Sequence, residues 1–468
     1  MSPFHMLSVF GWTLHRARPK DLEQAGFGHL AEVPFIRDGQ LAYAELPNRF
    51  LIDLALGVWN ARSRGERSPD KAPISATRET LKSVAYWLIN ALEWADTRSV
   101  DLMECDYASV LIARYQQEML KGIWSADGRP LKPATVNARV GAALAYQQWG
   151  ADKKLRGPVS VATVTTTYRA PSFRNSRSHE TKTVEARRGK VRVTPKSLAF
   201  PAANQIEAWR KAIHAHPTRG YTEGLLADLM LDTAIRREEA ACWRVDTLPM
   251  QRRDWQIINP DAPPDCQNVA VTIRFGAKGR EYGRDRGDKI GPEGEIKLPF
   301  QLAERIDEYR QKVRPKALAV AVRQGKTLAQ QKRIHNDAVH LFLNPETGTR
   351  YTGKQIYSLW KRVDGPPHWS PHLARHLWAC NHLERRMQDH ADLMAKILEM
   401  PGLTHSSPLL LGLNDTAISV IQLEITPQLR HMNSSTTELY LEWWFARNSL
   451  PYQTRVIWDD EHDGEVEA

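Results

Sequence analysis

The sequence predicts a mainly α-helical protein with a small antiparallel β-sheet. Apolar residues recur every three or four positions from Leu81 to Leu92, and a second helix is predicted from Pro133. Helical patterns dominate again from Asn204 onward. Two strand-like runs, 269–275 and 295–299, flank a turn rich in glycine and charge, which predicts a hairpin.

The order of these patterns predicts a chain of several folded parts. With 468 residues, the chain is long enough for about two to four domains. We predict an N-terminal segment of unknown role, a helical domain, a basic interdomain linker, a second domain containing the hairpin, and an acidic tail: 1–74, 75–160, 161–200, 201–450 and 451–468. The linker holds nine lysines and arginines against two glutamates, a composition typical of an extended segment that can lie along DNA.

Charge and composition indicate a polyanionic partner. The formal net charge is +10, and the last ten residues hold six carboxylates and no lysine or arginine, which leaves +16 on the rest of the chain. This imbalance favours nucleic acid, with an ordinary basic protein as the alternative. No run of about 18 apolar residues predicts a membrane span. Four scattered cysteines without zinc spacing, and a first segment without a basic start, predict a cytoplasmic protein.

Three separated segments carry residues suited to phosphate binding or proton transfer. Arg236 and Glu239 are three apart, so on a helix the carboxylate can orient the guanidinium. Lys278 lies in the glycine-containing turn GAKGRE of the predicted hairpin. His372 and Arg375 are again three apart, after a proline suited to a helix start. Each has an ordinary explanation when taken alone: a surface ion pair, a solvated lysine, a buried structural histidine.

A fourth segment, LRHMNSSTTELYLEWW, predicts a helix that carries a tyrosine. Ser435 and Glu438 form a capping box, which places Tyr440 in the second turn of that helix, nine residues after His431. The alternative is a tyrosine that packs as an ordinary aromatic residue.

The order of the four segments resembles the tyrosine recombinase (phage integrase) family. That family uses Arg, Lys, His-x-x-Arg, His or Trp, and Tyr in this order, and the chain has Arg236, Lys278, His372 with Arg375, His431 and Tyr440. The segments TAIRREEAACWRVD, HLARHLWA and SSTTELY are similar to its sequence boxes. The resemblance covers 200–450 closely and 75–160 loosely, where it implies a DNA-clamping core-binding domain.

The chain departs from the family pattern at several positions. Ala234 stands where the family usually has glycine, which weakens the match to the first sequence box. Arg430 replaces the glycine before the second histidine. An insertion around 401–427 contains His405, which stays an alternative to His431. Lys289 stays an alternative to Lys278 because the hairpin turn is long.

The resemblance implies a site-specific recombinase that cuts and rejoins DNA through a covalent 3′-phosphotyrosine. Arg236 and Arg375 would hold the non-bridging phosphate oxygens, with Glu239 supporting Arg236. His372 and His431 would assist, Lys278 would protonate the departing 5′ oxygen, and Tyr440 would attack the phosphorus. This chemistry requires no metal, ATP or other cofactor.

The implied partners are a double-stranded recombination site, a homotetramer on the DNA and accessory proteins, with no membrane. The implied role is integration or excision of a mobile element, in the bacterial cytoplasm at the nucleoid. Candidate DNA-binding residues outside the catalytic set come from the second predicted helix and the basic linker: Thr135, Asn137, Arg139, Arg187 and Arg188. The alternatives are a type IB topoisomerase or telomere resolvase with the same chemistry, and a DNA-binding relative that has lost catalysis.

Overall fold

The computed structural model describes residues 11–31, 33–60, 76–170, 180–193, 198–279, 281–398 and 416–430, together with 439–441, 443–444 and 447. The chain divides into two compact units at residues 195 and 196, each with its own hydrophobic core. Both units are mainly helical with small antiparallel sheets, so the predicted fold class is confirmed. Within the described ranges, every helix is too short or too polar to cross a membrane.

The first unit contains helices and two short two-stranded sheets. Its helices are α1 Pro19–Gln24, α2 Glu45–Ala55, α3 Arg78–Thr97, α4 Gln117–Leu120 and α5 Pro133–Asp152, with a 3-10 turn at Gly28–Leu30 and a π-helix at Tyr107–Gln116. Its strands are β1 Thr13–His15, β2 Phe35–Arg37, β3 Thr163–Ala170 and β4 Glu180–Arg187. Helix α3 begins after Thr77, whose hydroxyl accepts a hydrogen bond from the Thr80 N–H at 3.3 Å, and α5 begins at Pro133 as predicted.

The N-terminal segment shares the core of the first unit. Phe50 of α2 is fully buried and contacts Tyr146 and Trp149 of α5 edge to face, with ring centroids 5.6 and 5.8 Å apart. Ile36 of β2 belongs to the same core. The described part of 1–74 therefore helps to build the helical domain, a role that its sequence did not reveal.

The predicted basic linker is folded over much of its length, so the expectation of an extended segment at 161–200 is wrong there. Strands β3 and β4 pair antiparallel, with Thr163 opposite Arg187. The following backbone is bound to the helical core, because the Tyr107 hydroxyl donates to the Arg188 carbonyl at 2.8 Å. The run TVTTTY is rich in β-branched residues, a strand signal that the charge count obscured.

The second unit surrounds a four-stranded antiparallel sheet with helices. Its strands are β5 Gln256–Ile257, β6 Asn268–Phe275, β7 Gly283–Asp285 and β8 Asp288–Pro299, in the order β5-β6-β8-β7. Its helices are α6 Ala203–His214, α7 Gly220–Thr233, α8 Arg237–Ala241, α9 Phe300–Glu308, α10 Arg314–Arg323, α11 Leu328–Asp337, α12 Gly353–Arg362, α13 Pro371–Leu398 and α14 Thr426–Leu429. A 3-10 turn lies at Arg252–Asp254, and π-helical turns lie at Tyr309–Val313 and Ile421–Ile425.

The predicted hairpin is present as β6 and β8. Val271 lies opposite Ile296, and alternate residues of β6 enter the core of the unit. Strand β8 begins at Asp288, earlier than the predicted 295, because it also pairs with β7.

A separate apolar cluster of the second unit surrounds Tyr440. It joins Ala379 and Leu383 of α13 to Ile421, Ile425 and the residues that follow. Residues 416–420 are helical and continue into the π-helical turn and α14, so this part of the predicted insertion belongs to the folded core. Residues 401–415 lie outside the described part of the chain.

Candidate active site

The turn between α7 and α8 sets the position of Arg236. Helix α7 ends at Thr233, Ala234 adopts a left-handed conformation (φ 56°), and Arg236 precedes α8 in an extended one. The Glu239 carboxylate accepts from the Arg236 N–H at 2.8 Å and from Arg236 Nη1 at 3.0 Å. Because the Glu239 side chain is fully buried, it fixes the direction of the partly exposed guanidinium.

Helix α13 brings Arg375 to the same turn. The helix begins at Pro371, where the Ser370 hydroxyl accepts from the Leu373 N–H at 3.2 Å. Arg375 is buried, and its guanidinium donates to the carbonyls of Ala234 and Leu429. Burial, and secondly the charge of Arg236, lower the pKa of Arg375 to about 9.

Gln428 connects the end of α14 to the rest of the site. Its Nε2 donates to the carbonyls of Thr233 and Lys297 at 2.9 and 3.1 Å, and its Oε1 accepts from the Lys297 N–H at 2.7 Å. The end of α14 is therefore fixed against both α7 and β8, which places the Leu429 and Arg430 carbonyls beside the two arginines. Arg236 Nη2 donates to the Arg430 carbonyl at 3.2 Å.

The two candidate lysines of the hairpin occupy different environments. Burial lowers the pKa of Lys278, and the positive charges of Arg236 and Arg375 lower it further. Lys289 donates from Nζ to the Gly279 carbonyl at 2.6 Å, and the charged groups that act on it belong to the hairpin itself. The electric field of the arginine pair therefore acts on Lys278, which favours Lys278 over Lys289 as the lysine of the site.

Two histidines of α13 connect the site to Tyr440. His372 and His376 lie one helical turn apart, with their Nε2 atoms 3.0 Å from each other, and His376 Nδ1 lies 3.1 Å from the Tyr440 hydroxyl. Burial, then the charges of His372 and Arg375, lower the pKa of His376 to about 3, so this imidazole is neutral. A neutral imidazole has one N–H and one acceptor nitrogen, so it can link its two neighbours in a hydrogen-bonded chain.

His376 is a residue of the site that the motif argument missed. Its spacing of four from His372 in HLARH places both on one helix face, and that spacing was the available signal.

Tyr440 is fully buried among apolar side chains. Burial raises the pKa of its phenol, while Arg375 and Arg236 act in the opposite direction. The phenol therefore lies within the field of both guanidiniums, although the three residues are far apart in the sequence.

The second predicted histidine is outside the described residues. His431 and its alternative His405 both fall there, as do Ser435 and Glu438 of the predicted capping box. Their assignments stay predictions from the sequence.

Arg430 is a second residue of the site that the sequence did not assign. It has a left-handed backbone (φ 50°), and its guanidinium forms an ion pair with Glu239. Ala234 and Arg430, the two positions that depart from an expected glycine, thus both keep the conformation that glycine favours. The Ala234 carbonyl accepts a hydrogen bond from the Arg375 guanidinium.

The site is rich in positive charge. The guanidiniums of Arg236 and Arg430 form ion pairs with the carboxylate of Glu239. The charge of Glu239 also acts on Arg375, and the charges of Arg236 and Arg375 act on the ammonium of Lys278. Such an excess of fixed hydrogen-bond donors suits an anion with several oxygens, such as a phosphodiester. Across the ranges that the structure covers, no group of three or more His, Cys, Asp and Glu side chains could hold a metal ion.

The DNA-binding candidates of the first unit differ in what they contact. Asn137 is buried, and its amide pairs with the N–H and carbonyl of Val191 at 2.9 and 2.8 Å. The prediction that Asn137 lies on an exposed face is wrong, because the chain after β4 covers that face. Arg187 is half-buried and donates to the Tyr107 hydroxyl at 2.9 Å and to the Asn137 carbonyl at 3.3 Å.

The remaining candidates are more accessible. Arg188 is exposed, whereas Thr135 and Arg139 are half-buried on α5. Their contact with DNA stays a prediction.

Comparison with known proteins gives structural likenesses of low sequence identity. The XerH site-specific recombinase bound to palindromic difH substrate, in a post-cleavage complex, aligns at a TM-score of 0.47 and 14% identity, over 86% of this chain and 93% of that chain. The Tn1549 transposon integrase (residues 82–397) in complex with circular intermediate DNA aligns at 0.44 and 12%, over 86% and 98%. The XerA recombinase aligns at 0.30 and 12%, over 87% and 100%. No protein-family model and no curated protein matches the chain.

Proposed function

We propose that the chain is a site-specific DNA recombinase that breaks and rejoins DNA strands through a covalent link to Tyr440. One observation carries the proposal: Arg236 and Arg375 donate to the adjacent carbonyls of Arg430 and Leu429, while His376, one turn along α13 from His372, bonds the Tyr440 hydroxyl. The order of the sequence motifs supports the same conclusion.

The arginines act on the charge of the reacting phosphate. Attack by a phenol oxygen adds negative charge at a phosphodiester that is already an anion. Glu239 and the neighbouring backbone carbonyls fix the orientation of the guanidiniums before DNA binds. A donor of this kind contributes about 3–4 kcal/mol of transition-state stabilisation.

The remaining residues make and break the bonds of the proposed reaction. The Tyr440 oxygen bonds to phosphorus and the bond from phosphorus to the 5′ oxygen breaks, while Lys278 gives its proton to that oxygen. The lowered pKa of Lys278 makes the ammonium a better acid for this step. His372 assists in removing the phenol proton. A 5′ hydroxyl then reverses the sequence on the phosphotyrosine, and the covalent link conserves the energy needed for rejoining.

The proposed reaction requires local changes in the site. Tyr440 is fully buried, and the carbonyls of Ala234, Leu429 and Arg430 accept hydrogen bonds from the arginines. Cleavage therefore requires that the phenol leaves its apolar surroundings and that phosphate oxygens replace some of these carbonyls.

The biological setting of the proposal follows the family resemblance. A homotetramer would hold two duplexes and exchange their strands during integration or excision of a mobile element, with or without accessory proteins. Cross-linking of the protein on its DNA site checks this assembly, and a complex with one copy on one duplex would contradict it.

The nucleophile can be tested by substitution. Tyr440→Phe is expected to abolish formation of the covalent protein–DNA adduct while binding stays nearly unchanged, because only the attacking oxygen is removed. Adducts of the wild-type protein trapped on random duplexes and sequenced would supply the DNA site. Tyr221→Phe, at an exposed tyrosine of the same unit, is the matched control.

Two outcomes would contradict this assignment. Full strand exchange by the Tyr440→Phe variant would remove Tyr440 from the reaction. Relaxation of supercoiled DNA by the wild-type protein, with no joining of two different duplexes, would instead indicate a topoisomerase.

A further inference from the structure

Arg430 occupies its place in the site because of two special backbone features. Its own left-handed conformation (φ 50°, ψ 49°) ends α14, with its N–H bonded to the Pro427 carbonyl at 3.0 Å. Its side chain then passes over Gly294 of β8, where a Cβ atom would overlap Arg430 Cδ. The left-handed backbone directs the Arg430 side chain toward β8, and Gly294 leaves the space that this side chain occupies.

The guanidinium of Arg430 shares one carboxylate with Arg236. Glu239 Oε1 contacts both Arg236 Nη1, at 3.0 Å, and Arg430 Nη2. Arg430 Nη1 also donates to the Ile273 carbonyl at 3.4 Å. The Arg430 side chain is only 13% exposed and Glu239 is fully buried, so water screens this three-residue group weakly.

The shared carboxylate changes the charge that is available to a ligand. Glu239 with Arg236 alone would be a neutral pair. With Arg430 added, two guanidiniums face one carboxylate and the group carries one net positive charge. Arg375 raises the total for the three arginines and Glu239 to two, which matches the two negative charges of a phosphodiester under attack by a phenolate oxygen. Lys278 is counted apart, because in the proposed reaction it gives its proton to the departing 5′ oxygen.

We propose that Arg430 is a positioning residue that neutralises Glu239, so that the charge of Arg236 remains available to the reacting phosphate. Glu239 can then orient Arg236 without cancelling its charge. This inference rests on the proposed recombinase function.

The test compares cleavage rates in variants that differ in the net charge of the site. If Arg430 had only a structural role, the rate would not depend on that charge. Arg430→Gly is expected to slow single-turnover cleavage of the DNA site identified by adduct sequencing about tenfold, which is less than the loss of a direct donor. Glycine accepts the left-handed backbone, and the melting temperature of each variant is measured to confirm that the protein is folded at the assay temperature. Adding Glu239→Gln restores the net charge of two and is expected to recover most of the rate, since glutamine can still accept from Arg236.

A second variant changes the position of the Arg430 side chain without changing any charge. Gly294→Ala is expected to displace the Arg430 side chain and to slow cleavage to a similar extent, with no further loss when it is combined with Arg430→Gly. Arg252→Ala with Glu304→Gln, an ion pair on the surface of the same unit, is the matched control and is expected to leave the rate unchanged.

The outcomes separate this inference from the proposed function. If the wild-type protein forms no covalent adduct, the recombinase proposal itself fails. If it does, an Arg430→Gly variant as fast as wild type would overturn the role of Arg430. So would an Arg430→Gly, Glu239→Gln variant that cleaves no faster than Arg430→Gly alone.

Discussion

At the scale of single residues, the environments of the two hairpin lysines lead to a test that separates them. Lys278→Ala is expected to slow cleavage of ordinary DNA strongly, because the 5′ oxygen then departs without a proton. A substrate with sulfur in place of that bridging oxygen needs no protonation, so Lys278→Ala is expected to cleave it at nearly the wild-type rate. Single-turnover rates on the two substrates give the comparison.

Lys289→Ala is the matched control, and its rates on both substrates are expected to stay near wild type. The lowered pKa of Lys278 also gives a pH dependence. The acid form is lost as pH rises through that pKa, so cleavage of ordinary DNA is expected to decline at a lower pH than an unperturbed lysine would give. Oxygen-specific loss in the Lys289 variant would reverse the assignment.

The residues that the sequence predicted and those that it missed differ in a physical way. Arg236, His372, Arg375 and Tyr440 were implied by the order of four segments that resembles a known family, although each residue alone had an ordinary explanation. Arg430 meets Glu239 through an ion pair across 191 positions, on a left-handed backbone. No local sequence pattern predicts a contact over that distance. In the sequence, Arg430 was noted only because it replaces a glycine that the family usually has.

At the scale of elements, helix α13 supplies both Arg375, for which we propose phosphate binding, and the hydrogen-bond partner of Tyr440. His376→Leu would remove one hydrogen bond of the buried phenol hydroxyl, a net contribution of about 1 kcal/mol. The buried position of Tyr440 is then less favoured, so nitration of Tyr440 in the DNA-free protein, followed by mass spectrometry, is expected to speed up.

His376→Asn is the control for that experiment, because its amide can still bond the hydroxyl. Equal nitration rates for the wild-type, leucine and asparagine proteins would show that His376 does not hold the phenol.

Asn137 of α5 gives a prediction about stability. Its buried amide makes two hydrogen bonds to Val191, each worth about 1 kcal/mol, so Asn137→Ala is expected to lower the free energy of unfolding of the first unit by about 2 kcal/mol. Urea unfolding followed by tryptophan fluorescence measures the change. Thr135→Ala, at a half-buried position of the same helix, is expected to have little effect. Equal losses of stability in the two variants would contradict a stabilising role for the hydrogen bonds between Asn137 and Val191.

The elements themselves were predictable where one periodicity dominated. Helix α3 and the β6–β8 hairpin followed from apolar spacing, because each buries one face. The start of α5 followed from Pro133. The β3–β4 hairpin was missed because many charges lie among its β-branched residues. The contacts of the following residues with α5 bridge 54 positions, and only the folded chain reveals them.

At the scale of the whole molecule, the net charge of +10 predicts how DNA binding responds to salt. The logarithm of the binding constant is expected to fall linearly with the logarithm of salt concentration, with a slope of about −0.9 for each phosphate contact. Titrations of the full chain at several salt concentrations measure the slope. An affinity that stays constant across them would contradict phosphate binding by the basic surfaces.

The left-handed turns at Ala234 and Arg430 have a consequence for selectivity against small solutes. Together with Leu429, they present backbone carbonyls to the guanidiniums. Without DNA, these carbonyls already accept some of the hydrogen bonds that a phosphate would accept. A free nucleotide or inorganic phosphate must compete with these internal acceptors one molecule at a time. Under the proposed function, a long duplex contacts the protein at many points at once, and the summed binding energy offsets the loss of these internal hydrogen bonds.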